Sequence, residues 1–213
     1  MFISDYMTAN PLTISADMLL PEARQLLTEY HFRHLPVVDK DNKLIGMISD
    51  RDLRSAYPST VTSDADRAKT LKKVEKTAVG EIMSQNCSCL TASSTLDDAL
   101  MVFERDKVGA LPVVTEEDEV MGIFSMRDLT AAYKKLFGAA EKGSELIAIL
   151  NDGKAKSLRK ILKHLEKNDI ECSRLINIGE VSGFDRIYLR VKSSIAGDVQ
   201  KLFQENGLTL LKP

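Results

Sequence analysis

Two short segments set the architecture of this chain: Leu35-Pro36-Val37-Val38 and Gly46-Met47-Ile48-Ser49-Asp50-Arg51-Asp52-Leu53. Shifted by 76 positions, the same pattern returns as Leu111-Pro112-Val113-Val114 and Gly122-Ile123-Phe124-Ser125-Met126-Arg127-Asp128-Leu129. In both copies an apolar segment runs into a polar turn that holds serine, arginine and aspartate. Self-similarity at a fixed period indicates one structural unit that is used more than once. Two copies predict a pair related by a pseudo-twofold axis.

The similarity extends over residues 3–57 and 79–133, which align without a gap. Hydrophobic periodicity predicts strand, helix, strand, strand, helix in each copy. The first copy has Leu12–Ile14, a helix from Pro21, Leu35–Val38, Leu44–Ser49 and a helix over Asp50–Tyr57. The second has a helix over Leu96–Phe103, strands Leu111–Val114 and Val120–Ser125, and a helix from Met126. The polar segment 58–78 is predicted to be a linker with an exposed helix over Ala65–Lys76.

The remainder of the chain has a different pattern. After a linker at Gly138–Ser144, the predicted elements are strand Glu145–Leu150, helix Leu158–Leu165, strands Ile170–Ile178 and Arg186–Lys192, helix Ile195–Phe203 and strand Leu208–Leu211. This βαββαβ order is ferredoxin-like. Residues 144–213 hold 12 basic and 9 acidic residues, whereas residues 1–143 hold 17 and 22, which also indicates two domains. The predicted fold class is α/β (α+β).

Composition excludes several classes of protein. With 213 residues and 44% hydrophobic content, the chain can bury a sizeable core. It has no apolar run of the roughly 18 residues that a membrane span needs, and its first residues lack a signal-peptide pattern, so we expect a cytosolic protein without membrane contact. The three cysteines, Cys87, Cys89 and Cys172, do not form a zinc-ligand pattern and are interpreted as thiols.

The repeated polar turn, called here the Ser-x-Arg-Asp motif, carries the chemistry that suits a nucleotide. Ser49 caps a helix or bonds a phosphate oxygen, Arg51 offers a forked set of donors to phosphate, and Asp52 accepts from a pair of ribose hydroxyls. The alternative interpretation is an ordinary helix cap, which a single copy favours. Two copies inside a long repeat favour the nucleotide-binding interpretation.

These segments resemble the cystathionine-β-synthase (CBS) domain, and two tandem copies resemble a Bateman module. The stretch from His31 to Leu53, Tyr57-Pro58-Ser59, the second copy and the βαββαβ tail together resemble the acetoin-utilisation protein B family. The tail itself resembles an ACT domain. The resemblance implies CBS repeats at 1–57 and 79–137, a linker at 58–78 and an ACT-like domain at 144–213. ACT domains often bind amino acids near a glycine after the first strand, here Asn151-Asp152-Gly153, where a turn before the helix is the alternative.

The family resemblance also implies two clefts that bind adenosine derivatives. Adenine is expected beside the first strand of each copy, ribose at the aspartates, and phosphate at the serines and at the residues preceding Leu-Pro-Val-Val. The predicted ligand-binding residues are Thr13, Ile14, Arg33, His34, Pro36, Ser49, Arg51, Asp52, Cys89, Leu90, Gly109, Ala110, Pro112, Ser125, Arg127 and Asp128. Because Arg33-His34 in one copy corresponds to Gly109-Ala110 in the other, the clefts are not expected to bind equally.

The predicted function is non-catalytic regulation. The expected ligand is AMP, ADP, ATP or another adenosine derivative, with no catalytic residue, no metal and no obligatory cofactor, and the expected assembly is a homodimer that acts on an unknown protein target. A role in acetoin or acetate metabolism follows from the family resemblance alone. Basic residues on one helix of the tail are interpreted as a solvated face, so nucleic acid is not an expected partner. The alternatives are an enzyme with a site between repeats and tail, and a purely structural dimerisation module.

Overall fold

The computed structural model describes residues 1–59, 61, 63–151, 155–181 and 184–211. The chain divides into two units, Met1–Ala132 and Tyr133–Pro213. Asp152 and Gly153, where the sequence suggested an amino-acid site, lie outside the described residues. Among the helices that are described, each is too short or too polar to span a lipid bilayer.

The first unit contains both repeats in the predicted element order. The first repeat forms β1 (Thr8–Ala9), β2 (Ile14–Ser15), α1 (Leu20–Glu29), β3 (His34–Val38), β4 (Leu44–Ser49) and α2 (Asp50–Ala56). The helix α3 (Asp64–Val74) follows, and the second repeat forms β5 (Leu90–Thr91), α4 (Leu96–Asp106), β6 (Ala110–Val114), β7 (Val120–Ser125) and α5 (Met126–Leu136). The mixed α/β fold and the element order predicted for the repeats are therefore confirmed.

The two repeats exchange their N-terminal segments. The strand β1 pairs with β7 of the second repeat, where Thr8 lies opposite Ile123, and Ser84, the counterpart of Thr8, pairs with Met47 of β4. Each contact therefore occurs twice with the repeats interchanged, as expected for a twofold-symmetric interface. The sequence did not predict this exchange.

Each repeat buries one apolar face of its sheet beneath helices. The strands are ordered β2-β3-β4 in one sheet and β1-β7-β6-β5 in the other. In the first repeat Leu20 and Ala23 of α1 are fully buried with Val37 of β3 and Ile48 of β4. The strands β4 and β7 end at Ser49 and Ser125, so the packing of the core fixes where each Ser-x-Arg-Asp motif lies.

The second unit has the predicted βαββαβ order. Its elements are β8 (Ser144–Asn151), α6 (Ala155–Lys167), β9 (Arg174–Val181), β10 (Phe184–Lys192), α7 (Ser193–Glu205) and β11 (Leu210–Leu211). The sheet order is β11-β8-β10-β9, with antiparallel neighbours. Fully buried Ile149, Ile187 and Leu189 of the sheet pack with Ile161 of α6 and Phe203 of α7.

Three predicted strands begin later than expected. The strand predicted over Ile170–Ile178 starts at Arg174, because the Ile170 N–H donates to the Leu165 carbonyl and completes the end of α6. In the same way, the Leu208 N–H donates to the Phe203 carbonyl at the end of α7, so the last strand starts at Leu210.

The strand predicted at Leu12–Ile14 is also displaced, and forms only at Ile14–Ser15. The Asn10 N–H still bonds the Met121 carbonyl beside β7, whereas Ile14 already pairs with Val37 of β3. The residues between them carry the chain from one sheet to the other, so they cannot join the ladder of either sheet.

Candidate functional site

Both Ser-x-Arg-Asp motifs lie where a strand meets a helix, and both form the same hydrogen-bonded cap. Asp52 Oδ2 accepts from the Ser49 N–H at 2.8 Å and from Ser49 Oγ at 2.6 Å. Asp128 Oδ2 accepts from Ser125 N–H and Oγ at 2.8 and 2.7 Å. The helix-cap interpretation is therefore realised in both copies. No bond from a described residue reaches Oδ1 of either aspartate, so that oxygen can accept from a ligand.

The first cleft, of about 720 Å³, lies beside the first motif. It is lined by Ser49–Asp52 on one side, by the exchanged segment Ser84–Ser88 on another, and by residues that precede β3 and β6. This volume falls within the range of about 300–1,000 Å³ that small-molecule sites have.

The second cleft, of about 550 Å³, lies beside the second motif. It is lined by Ser125–Asp128 and by Thr8 and Asn10–Leu12, the counterpart of the Ser84–Ser88 segment. Phe32 and Leu12 make its wall more apolar. The two clefts are therefore equivalent in position and different in lining, as the sequence suggested.

Arg33 and His34 line both clefts, together with Gly109 and Ala110. A side-chain Cβ at Gly109 would lie 3.0 Å from Cε1 of His34, so the imidazole occupies the space that glycine leaves open. Burial lowers the pKa of His34, the carboxylate of Asp52 opposes this effect, and the guanidinium of Arg33 adds to it. His34 is therefore neutral at pH 7 when no anion is bound.

The structure brings most of the predicted site residues into the clefts, and leaves others outside. Arg51 and Asp52 line the first cleft, and Pro36, Arg127 and Asp128 line the second. The residues that line neither cleft are Thr13, Ile14, Cys89, Leu90 and Pro112. Ile14 and Leu90 are each 3% exposed and face the repeat cores. Their expected contact with adenine stays a prediction.

Asn10 and Asn86 are lining residues that the site prediction omitted. Each has a positive φ, 47° and 53°, a conformation that asparagine adopts more readily than most residues. This turn directs the exchanged segment along its cleft. Their identity at equivalent positions of the repeat was the available signal.

The rim of the first cleft carries groups that the second lacks. Cys87 lies there, and a hydrogen bond with the Cys89 side chain lowers the pKa of Cys87 to about 7 and raises that of Cys89. Asp106 accepts from Ser88 Oγ at 2.6 Å, and its bond to Arg105 lowers the pKa of Asp106 to about 2. The first cleft thus has a permanent carboxylate at its edge.

No group of three or more His, Cys, Asp or Glu in the described ranges is placed to hold a metal ion.

Comparison with known proteins relates the repeats to one family. The CBS domain family model matches residues 3–59 and 79–135, more than half of the chain. An inosine-5'-monophosphate dehydrogenase of Aquifex aeolicus is 31% identical over 129 residues, 60% of this chain and 24% of that enzyme. This chain therefore spans about a quarter of the length of that curated relative, and the shared part is the CBS region.

Two solved structures share the fold of the CBS pair. The CBS-pair protein CBSX2 of Arabidopsis thaliana, in complex with AMP, has a TM-score of 0.54 at 26% identity, over 64% of this chain and 98% of its own. A Vibrio cholerae protein assigned to acetoin utilization (AcuB) has a TM-score of 0.55 at 26% identity, over 67% of this chain and 96% of its own.

Proposed function

This chain belongs to the CBS-domain family, and from that premise we propose that it is a non-catalytic regulatory protein whose two clefts bind an adenosine-containing ligand. The observation that carries the proposal is the doubled Ser-x-Arg-Asp motif, which lines two equivalent clefts of suitable volume. AMP in the related CBSX2 pair supports the choice of adenosine.

The proposed contacts follow the donor and acceptor chemistry of each motif. In the first cleft, the ribose hydroxyls donate to Asp52 Oδ1, the oxygen that the cap leaves available. The phosphate accepts from Arg51 and from His34 in its protonated form, because charge-assisted hydrogen bonds favour an anion there. Asp128 and Arg127 take the equivalent roles in the second cleft, where Phe32 offers an apolar surface to the base.

Regulation requires that the ligand have different affinities for two states of the protein. We propose that occupancy of the clefts alters how the protein contacts a target.

We also propose that residues 144–213 form an ACT-like domain and that the protein is a homodimer. The sheet face opposite the helices of this unit carries Leu146 and Ile178, 44% and 36% exposed, which supports pairing with a second copy. The Vibrio cholerae neighbour supports a role linked to acetoin. Sedimentation that finds only a 23.7 kDa species at micromolar concentration would contradict the dimer.

A thermal-shift panel tests ligand binding. The panel comprises AMP, ADP, ATP, S-adenosylmethionine and cyclic dinucleotides. A ligand at about a hundred times its Kd adds roughly 2.7 kcal/mol to the free energy of unfolding, which raises Tm by roughly 5–10 °C in a chain of this size. The proposal fails if no adenosine compound shifts Tm at millimolar concentration.

A further inference from the structure

A groove rich in arginine continues from the second cleft. It has a volume of about 450 Å³ and runs between α1, the turn before β3, α2 and the start of α5. Its cationic side chains are Arg24, Arg33, Arg54 and Arg127. Arg33 and Arg127 also line the second cleft, together with His31 and Phe32, so the two spaces share a wall. Arg33 and Arg54 also line the first cleft, whereas Arg24 lines neither cleft. We call this feature the arginine groove.

The arginine groove has an excess of positive charge. Asp50 is the only acidic residue among the described residues that line it, and Arg54 Nη2 lies 2.6 Å from Asp50 Oδ2. The guanidinium groups of Arg24, Arg33 and Arg127 are then available to neutralise the charge of a bound anion. The Arg24 guanidinium lies 4.2 Å from the ring centroid of Tyr57, a cation–π contact that restricts its position. A groove of this kind suits an anion with several charges, because guanidinium groups bind phosphate through paired hydrogen bonds.

The second repeat has no counterpart of Arg24 or Arg54. The repeat offset of 76 places Leu100, Glu104 and Thr130 where the arginine groove has Arg24, Thr28 and Arg54. The first cleft has Arg51, Arg54 and Lys107 in its own lining, and its Asp106 is paired with Arg105 at 2.7 Å, so both clefts can bind one phosphate group. The difference lies in the groove beside the second cleft, where Arg24 has no counterpart beside the first.

We propose that the second cleft is selective for nucleoside polyphosphates, whose terminal phosphates lie in the arginine groove. This inference rests on the proposed binding of an adenosine ligand, and adds to it the class of ligand and the site that selects it. In the second cleft a nucleoside monophosphate ends at Ser125 and Arg127 and does not reach Arg24. The first cleft discriminates less between monophosphate and triphosphate.

The test is calorimetry with AMP and with ATP on the full chain and on Arg24→Gln, because Arg54 also lines the first cleft. Loss of this charge-assisted contact at an exposed position is expected to weaken ATP binding several-fold at one of two sites. AMP binding should change less than twofold. Arg67→Gln on α3, an exposed arginine that lines neither cleft nor groove, is the matched control and should bind both nucleotides like the wild type.

A second pair of variants locates the effect. The preference for ATP over AMP should disappear in Asp128→Asn, which impairs the second cleft, and persist in Asp52→Asn. The inference is overturned if Arg24→Gln keeps the ATP affinity of the wild type while it still binds AMP, or if the preference follows Asp52. Absence of any binding of AMP or ATP to the wild type would instead refute the proposed function.

Discussion

The substitution Asp52→Asn separates the two roles of this carboxylate. In the structure Oδ2 accepts both from the Ser49 N–H and from Ser49 Oγ, and this caps α2. An asparagine keeps one carbonyl oxygen for the cap and replaces the other oxygen with an NH₂ group, which cannot accept from a ribose hydroxyl. Asp52→Ala, in contrast, removes the carboxylate half of this capping box together with the ribose acceptor, and leaves Ser49 as the N-cap.

The expected magnitudes differ accordingly. Asp52 supplies one half of the capping box, so Asp52→Ala should lower the free energy of unfolding by at most about 1 kcal/mol and Tm by at most about 3 °C, whereas Asp52→Asn should lower both less. A hydrogen bond to a charged group contributes about 1.5–3 kcal/mol, so both variants should weaken AMP binding at one cleft by roughly 10- to 100-fold. Asp128→Asn should have the same effect at the other cleft.

The chain offers a matched control in α3. Ser63 Oγ donates to Asp66 Oδ2 at 2.6 Å, and the Asp66 N–H donates back to Ser63 Oγ at 3.3 Å, so this pair forms a similar cap outside the clefts. Asp66→Asn should therefore leave AMP affinity unchanged in calorimetry. The reasoning is refuted if Asp52→Asn binds AMP at both clefts like the wild type, or if Asp66→Asn weakens binding equally.

Four further predictions concern packing and titration. Gly46→Ala should lower the free energy of unfolding by about 1–3 kcal/mol in denaturant titration, because the new Cβ would lie 2.9 Å from the Ser84 carbonyl oxygen. Gly197→Ala on α7 meets nothing within 4 Å and should raise it by about 0.5–1 kcal/mol. AMP affinity should rise several-fold as pH falls from about 8 to 6.5, because burial lowers the pKa of His34 and a bound phosphate favours its protonated form. Alkylation of Cys87, followed by peptide mass spectrometry, should have a midpoint near pH 7, set by its pKa of about 7, and should slow when AMP is bound.

The predictions for Gly46, His34 and Cys87 each have a contrary outcome. A Gly46→Ala protein as stable as the wild type would contradict the close approach of the exchanged segments. An unchanged pH dependence in His34→Gln would show that this imidazole does not take up the proton. An unchanged midpoint for the alkylation of Cys87 in the variant Cys89→Ser would contradict the role of Cys89.

Much of the fold was predictable because local patterns and the repeat agree. The apolar segments of both repeats fall on the observed central strands, and Ser49 and Ser125 occupy the predicted junctions. The exchange of β1 was not predictable, since two residues show no periodicity and their pairing depends on a strand more than a hundred positions away. The delayed starts of β9 and β11 have a different cause, because apolar residues that look like strand first complete the end of a helix.

The candidate site likewise has features that were predictable from the sequence and features that were not. The sequence identified the Ser-x-Arg-Asp motifs, because their polar identities recur at a fixed offset. It left open which cleft Arg33 faces, and the structure answers that Arg33 lines both. The arginine groove was not foreseen, because Arg24 and Arg54 lie on different helices and are exposed in patterns that resemble ordinary solvated faces. Tertiary packing alone brings them beside Arg127.

Calorimetric titration of AMP into the wild type and into the double variant Asp52→Asn, Asp128→Asn tests the central claim most directly. The account predicts saturable binding to the wild type, with both sites weakened at least about tenfold in the double variant while its Tm stays close to that of the wild type. The account is contradicted if the wild type shows no saturable heat at millimolar AMP, or if the double variant binds AMP as tightly as the wild type does.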